Sequence, residues 1–416
     1  MRIAIQTLGT RGDVQPYVAL ALDLMREGSI VQLAAPAQYR AIPEQHGVPC
    51  APLPGEFLAL MDTPEGKAAI AGGRGFSAGL KLVKHFKPLM RHLLDAELEA
   101  VRRFAPDMII YHPKSVASPF IASALNCLSI LASPLPGFTP TSAFPSPILP
   151  FATLGPLNRA SHLLASHAAK LLFRRQIRDW LTASFGAGDP IRGRKPSGTL
   201  YAYSPHVVPV PADWGPDVFV SGYWFLDSPS WDMPRELAAF LDAGPPPIYF
   251  GFGSLPGLDS EAMTAVILEA LDRIGKRGIL GTGGGALRVG HASDNIFFIA
   301  DAPHDRLFPH VASVVHHGGA GTTGAALRAG KPTAICPFFG DQPFWARRVS
   351  ALGVGPAPLD LKTLSAGALA NAITRMEDAG MRQRAAELGA GIQQEAGIAN
   401  AVRFIRRYEP TRAAKQ

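Results

Sequence analysis

The stretch Val314-Val-His-His-Gly-Gly-Ala-Gly-Thr-Thr-Gly-Ala-Ala-Leu-Arg-Ala-Gly330 runs from an apolar strand candidate through small residues into a helix-compatible segment. Small residues let a ligand approach the backbone. A helix N-terminus adds free N–H groups and the positive end of a dipole, so this turn suits a diphosphate. His317 can donate from its imidazole, and Thr322 and Thr323 add hydroxyls. The plainer reading is a tight turn whose glycines serve only packing, and the flanking histidines and threonines weigh against it. A Walker-type loop is disfavoured because no Gly-Lys-Ser/Thr follows. Gly281-Thr-Gly-Gly-Gly285 also follows a strand candidate, but it lacks the Gly-x-Gly-x-x-Gly spacing.

Two further groups have chemistry to offer. In Cys336-Pro-Phe-Phe-Gly-Asp-Gln-Pro-Phe-Trp345, a carboxylate beside a carboxamide can hold the vicinal hydroxyls of a hexose, which nominates Asp341 and Gln342. Asp341 taken alone also suits a helix cap. In Gly9-Thr-Arg-Gly-Asp-Val-Gln-Pro16, Asp13 falls at the mouth of a sheet, where open α/β folds bind ligands. There it can take the proton of an attacking hydroxyl, or simply act as an N-cap, and a helix dipole would make it a weaker base. The chain contains no Asp-x-Asp, so no divalent metal and no metal ligands are expected.

The elements that must carry these groups are short apolar runs separated by helix-compatible segments. Strands are expected at Arg2–Leu8, Ile30–Ala34, Met108–Tyr111 and Leu128–Ala132, then at Ile248–Gly251, Gly278–Thr282, Ile296–Ile299, Ser313–His316 and Pro332–Cys336. Such alternation predicts βαβ units and parallel sheets, an α/β class. The first helix is expected to start near Asp13, with Val14, Val18, Leu22 and Met25 on one face and Gly28 as its stop. Prolines crowd the span 201–247, so residues 1–205 and 248–416 are read as two domains and 206–247 as a linker. The C-terminal helix can pack back on the first domain.

Composition bounds the rest. With 416 residues, 47% hydrophobic and 18% charged, the chain is globular and long enough for two cores. A net charge of +7 attracts phosphates or acidic surfaces without choosing between them. Three scattered cysteines, Cys50, Cys127 and Cys336, suit a reducing cytoplasm. No apolar run reaches the roughly 18–20 residues of a membrane span, so any membrane contact is peripheral, at the inner surface. The basic segment Lys81–Leu94 has the composition of such a surface helix, although Pro88 is expected to interrupt it, and a solvated helix beside a cleft explains it as well.

Together, Gly9–Pro16, Ile248–Ser254 and His316–Trp345 resemble the GT-B fold glycosyltransferases of the UDP-glycosyltransferase superfamily, on the branch of sterol and antibiotic glycosyltransferases. The resemblance spans nearly the whole chain. It implies two Rossmann-like domains facing across a cleft, with the acceptor in the first and a nucleotide sugar in the second. It places His317, Gly319, Gly321, Thr322 and Ser254 on the donor diphosphate, Asp341 and Gln342 on the sugar, and Asp13 as base with His112 as its partner. Sterol-type members often carry tryptophan at the positions of Gly284 and Arg306. The implied reaction is inverting transfer of a hexose, UDP-glucose first among donors, to a lipophilic hydroxyl. It needs no metal, no cofactor beyond the co-substrate and no nucleic acid. Phe138, Phe144 and Phe151 are expected to rim the acceptor pocket. The alternatives are a nucleotide-sugar 2-epimerase of the same fold, which needs no acceptor, and a non-catalytic ligand-binding protein.

Overall fold

The computed structural model describes residues 1–56, 75–186, 193–228, 231–253, 259–290 and 293–409; of the helical residues 75–88, 165–170 and 172 it describes only the backbone. Seven parallel strands form the first sheet: β1 (Arg2–Gln6), β2 (Ile30–Pro36), β3 (Cys50–Leu53), β4 (Met108–Tyr111), β5 (Leu128–Ser133), β6 (Gly198–Tyr201) and β7 (Val218–Val220), in the order β3-β2-β1-β4-β5-β6-β7. Five more form the second: β8 (Ile248–Gly251), β9 (Gly278–Gly281), β10 (Ile296–Ile299), β11 (Ser313–His316) and β12 (Thr333–Ile335), in the order β10-β9-β8-β11-β12. Every pairing between these strands is parallel.

The central strands are apolar on both faces because helices cover both. Met-Ile-Ile-Tyr of β4 and Ile-Tyr-Phe-Gly of β8 are buried at every position. Each sheet reverses its winding once, between β1 and β4 in the first and between β8 and β11 in the second. At such a reversal the loops leaving the carboxyl ends diverge and open a crevice. Asp13 and His112 follow β1 and β4; Gly253 and His317 follow β8 and β11. The candidate residues therefore sit at the two places where this topology leaves room for a ligand.

The span 206–247 is more than a connector. Val218–Val220 pairs with β6 as the seventh strand of the first sheet, and Arg235–Asp242 is a helix whose Leu237 and Phe240 are buried against the second. Proline density hid both, since Pro216 and Pro234 flank the elements rather than break them. The final helix, Gly397–Arg406, returns to the first domain: Ala401, Val402, Phe404 and Ile405 share a core with Ile3, Ile5, Leu20 and Leu200. The helix Gly75–Phe104 runs through Pro88 without interruption. All three cysteines are free, and no helix among the described residues is long and apolar enough to cross a membrane.

Candidate functional site

Asp13 is the third residue of the helix Arg11–Arg26, not its cap; Thr10 is the cap, and its N–H donates to Asp13 Oδ2 at 2.8 Å. Two more donors converge on the same carboxylate. Lys114 Nζ lies 2.8 Å from Oδ2, and His112 Nε2 lies 3.4 Å from Oδ1. His112 is almost wholly buried, and its Nδ1 accepts from the Lys114 backbone N–H at 3.1 Å. That bond leaves the imidazole proton on Nε2, pointing at Asp13. Burial pushes the His112 pKa down against the pull of Asp13, so the ring is neutral. Burial would raise Asp13, but the Lys114 ammonium and His112 outweigh it and hold the carboxyl well below the usual range.

Asp13 is thus an ionised, largely buried carboxylate ringed by donors, able to orient a hydroxyl and receive its proton only as the attack develops. Lys114 was absent from the sequence reading, yet it stands two residues after His112 at the same switch point, and that proximity is the signal that would have found it. Lys114→Met removes the nearest cation, so Asp13 should protonate at higher pH. An opposite charge this close lowers a carboxylate by about 1–3 units. The acid limb of the kcat/KM profile is therefore expected to rise by about one pH unit or more, read from a pH–rate series.

Across the cleft, the helix Ala320–Arg328 begins directly after β11, with Gly319 as its N-cap. Gly318 takes φ +95°, and a Cβ there would lie 2.7 Å from Ile335. Gly321 and Thr322 lie in the first turn, where backbone N–H groups have no partner within the helix, and a Cβ added at Gly321 would meet no atom within 4 Å. A Cβ at Gly319 would stand 2.7 Å from His317 Nε2, so the missing side chain lets the imidazole lie against the helix start. Burial lowers His317 to about 4, with the Gly251 backbone opposing, so the ring is neutral rather than cationic. Its Nδ1 completes no hydrogen bond within the described residues. Thr323 does not serve the turn as a free hydroxyl: it is buried and donates to the Gly319 carbonyl at 2.9 Å. Ser254 lies outside the described residues.

Asp341 and Gln342 open the helix Gln342–Ala351, but each is already engaged. The fully buried Trp345 donates its indole N–H to Asp341 Oδ2 at 2.8 Å, which fixes the carboxylate's direction. Burial raises the Asp341 carboxyl, and the negative charge of Asp13 adds to that rise. Gln342 Oε1 accepts from the Phe338 and Phe339 amides at 2.7 and 3.1 Å, which leaves its N–H2 group for a ligand. Arg11 bridges the two sides, 2.9 Å from Asp301. A Cβ at Gly284 would lie 2.1 Å from the Gly253 backbone, so this backbone has no room there for the tryptophan of sterol-type members. Arg306 donates instead to the Ser228 carbonyl at 2.8 Å.

The three phenylalanines differ in their surroundings. Phe144 packs against Phe344 of the second domain with ring centroids 5.7 Å apart, while Phe138 and Phe151 stay largely exposed. An apolar cavity of about 180 Å³ lies elsewhere, lined by Leu8, Pro54, Leu89, Met90, Leu93 and Phe173, with Lys114 and Glu56 supplying its charged groups. Its place beside Lys114 puts it within reach of Asp13. Sequence reasoning missed it because its walls come from five separate segments. Among the described residues, no three His, Cys, Asp or Glu side chains are grouped to hold a metal ion.

Comparison with known proteins matches this geometry to a family. Residues 3–144 fit the glycosyltransferase family 28 N-terminal domain, and residues 279–400 fit the C-terminal domain of erythromycin biosynthesis protein CIII-like enzymes. A sterol 3-beta-glucosyltransferase of Arabidopsis thaliana, UGT80A2, is 36% identical over 439 residues, covering 100% of this chain and 66% of that protein. O-mycaminosyltylonolide 6-deoxyallosyltransferase of Streptomyces fradiae is 32% identical over 99% of this chain and 98% of its own length. The chain belongs to the GT-B glycosyltransferases. The glycosyltransferase spans about two thirds of the plant relative and 30% of a sterol 3-beta-glucosyltransferase of Emericella nidulans. Its fold is that of the kitacinnamycin glycosyltransferase (TM-score 0.72, 19% identity, 98% and 99% of the two chains covered) and of the calicheamicin glycosyltransferase CalG4 (0.70, 18%, with the same coverage).

Proposed function

We propose that this glycosyltransferase transfers a hexose, with inversion and without a divalent metal, from a nucleoside diphosphate sugar to a hydroxyl of a small lipophilic acceptor. The observation that carries the reading is the opposition of two prepared groups: an ionised carboxylate beside an apolar cavity, and a helix N-terminus with an unengaged imidazole nitrogen. In the reaction, the acceptor oxygen forms a bond to C1 of the sugar as the bond from C1 to the diphosphate breaks. The acceptor's proton passes to Asp13, and the charge gathering on the diphosphate meets the amides after Gly319 and the His317 N–H. UDP-glucose is the first donor to test, since several of the relatives are named for glucosyl transfer to sterols, although the Streptomyces relative is named for a deoxyhexose.

Incubation with UDP-glucose or TDP-glucose, EDTA and a panel of sterols, polyketides and phenols is expected to give products heavier by one hexose, detected by mass spectrometry. Turnover that requires added Mg²⁺, or isomerisation of the donor with no acceptor present, would overturn the reading.

A further inference from the structure

The helix Asn158–Leu172 leaves part of one face uncovered. Leu164 and Leu171 are each 70% exposed, and Leu157, immediately before the helix, is 63% exposed. Their spacing of seven residues is close to two helical turns, so they form one row along the helix. Phe151 and Ile148, on the segment leading into the helix, are also about half exposed, at 49% and 48%. Large side chains left in water in such a row mark a surface that something covers. The row ends two residues before Phe173, which lines the apolar cavity beside Lys114.

Charge singles out what covers it. From Arg159 to Arg178 the segment carries five cations, Arg159, Lys170, Arg174, Arg175 and Arg178, with no acid between them. Arg174 and Arg175 are exposed, and no acid among the described residues pairs with them. Arg178, its side chain 72% exposed, is 3.2 Å from Asp179, and Arg159 is 3.4 Å from Asp213. Arg174 and Arg175 stand exposed three and four residues beyond Leu171, and an apolar row that ends on two cations complements an anionic bilayer surface, with leucines entering the acyl boundary and guanidinium groups meeting phosphates.

We propose that this face docks the protein on an anionic lipid bilayer, setting the mouth of the apolar cavity at the membrane so that a lipophilic acceptor enters from the lipid phase. The purpose of the contact rests on the acceptor reading above, but the contact itself is measurable without donor, acceptor or turnover, so either can fail alone. Flotation of the full chain with vesicles is the test, using phosphatidylcholine alone and phosphatidylcholine mixed with phosphatidylglycerol. The wild-type protein is expected to float with the mixed vesicles and much less with phosphatidylcholine alone. Leu164→Gln with Leu171→Gln should weaken binding by roughly tenfold or more, and Arg174→Glu with Arg175→Glu should remove the preference for anionic lipid. Affinity for UDP should stay unchanged in both double variants, which checks that they fold. Wild-type protein that stays with the unbound fraction, or leucine variants that bind equally well, would overturn the proposal. So would a concentration-dependent dimer that the leucine substitutions dissolve, because the face would then belong to a second copy of this chain.

Discussion

Asp13→Asn is expected to cut transfer by about 10²–10⁴-fold, the usual contribution of a positioned proton acceptor, with affinity for the nucleoside diphosphate unchanged. Asparagine keeps the size of the side chain and can still accept from Thr10 N–H, so the start of the helix Arg11–Arg26 should survive. It loses the negative charge that Lys114 and His112 surround, and it cannot take a proton. The split between the two measurements is the informative part. Steady-state turnover should collapse while calorimetric binding of UDP or TDP stays constant, because the carboxylate lies on the acceptor side. Near-normal turnover would remove Asp13 from the chemistry. Loss of both properties would instead indicate that the capping interaction, and with it the geometry after β1, had failed.

His317→Ala is expected to act on the other half of the site. The neutral imidazole lies against the helix N-terminus and carries a nitrogen without a partner. A hydrogen bond from it to the leaving diphosphate strengthens as charge gathers there, so its loss should lower kcat by about 10²–10³-fold, and UDP affinity should fall as well. Because burial holds the ring neutral down to about pH 4, the contribution should persist across the neutral range and not fade as pH rises through 6 or 7. Unchanged calorimetric affinity for both UDP and TDP would refute the phosphate assignment.

The fold was easiest to read where strands are buried on both faces. Met108–Tyr111, Ile248–Gly251 and Ser313–His316 are buried at every position, and the structure gives them the expected limits, as it does for the apolar edge run Ile296–Ile299. Three strands escaped for definable reasons. Cys50–Leu53 lies at the sheet edge and contains Pro52, Gly198–Tyr201 is a short run between a loop and prolines, and Val218–Val220 has only three residues. The glycine-rich turn after Ser313–His316 was legible because its glycines, its histidine and the helix after it are contiguous. The apolar cavity was not, because Leu8, Leu93 and Phe173 meet only after two long excursions of the chain. Aromatic content alone pointed to Phe138, Phe144 and Phe151, of which Phe144 joins the domains instead. Asp13 could be nominated from its own segment, but the lowering of its pKa depends on Lys114, 101 residues away.

The final helix, Gly397–Arg406, belongs by sequence to the second half and by packing to the first, where Phe404 stacks on Phe219 at 5.3 Å. This glycosyltransferase is therefore not modular in the way its two sheets suggest. A chimera that grafts a relative's second domain onto residues 1–247 also imports a foreign wedge into the first hydrophobic core. Recombination for new donor specificity should exchange residues 248–396 and keep the native tail.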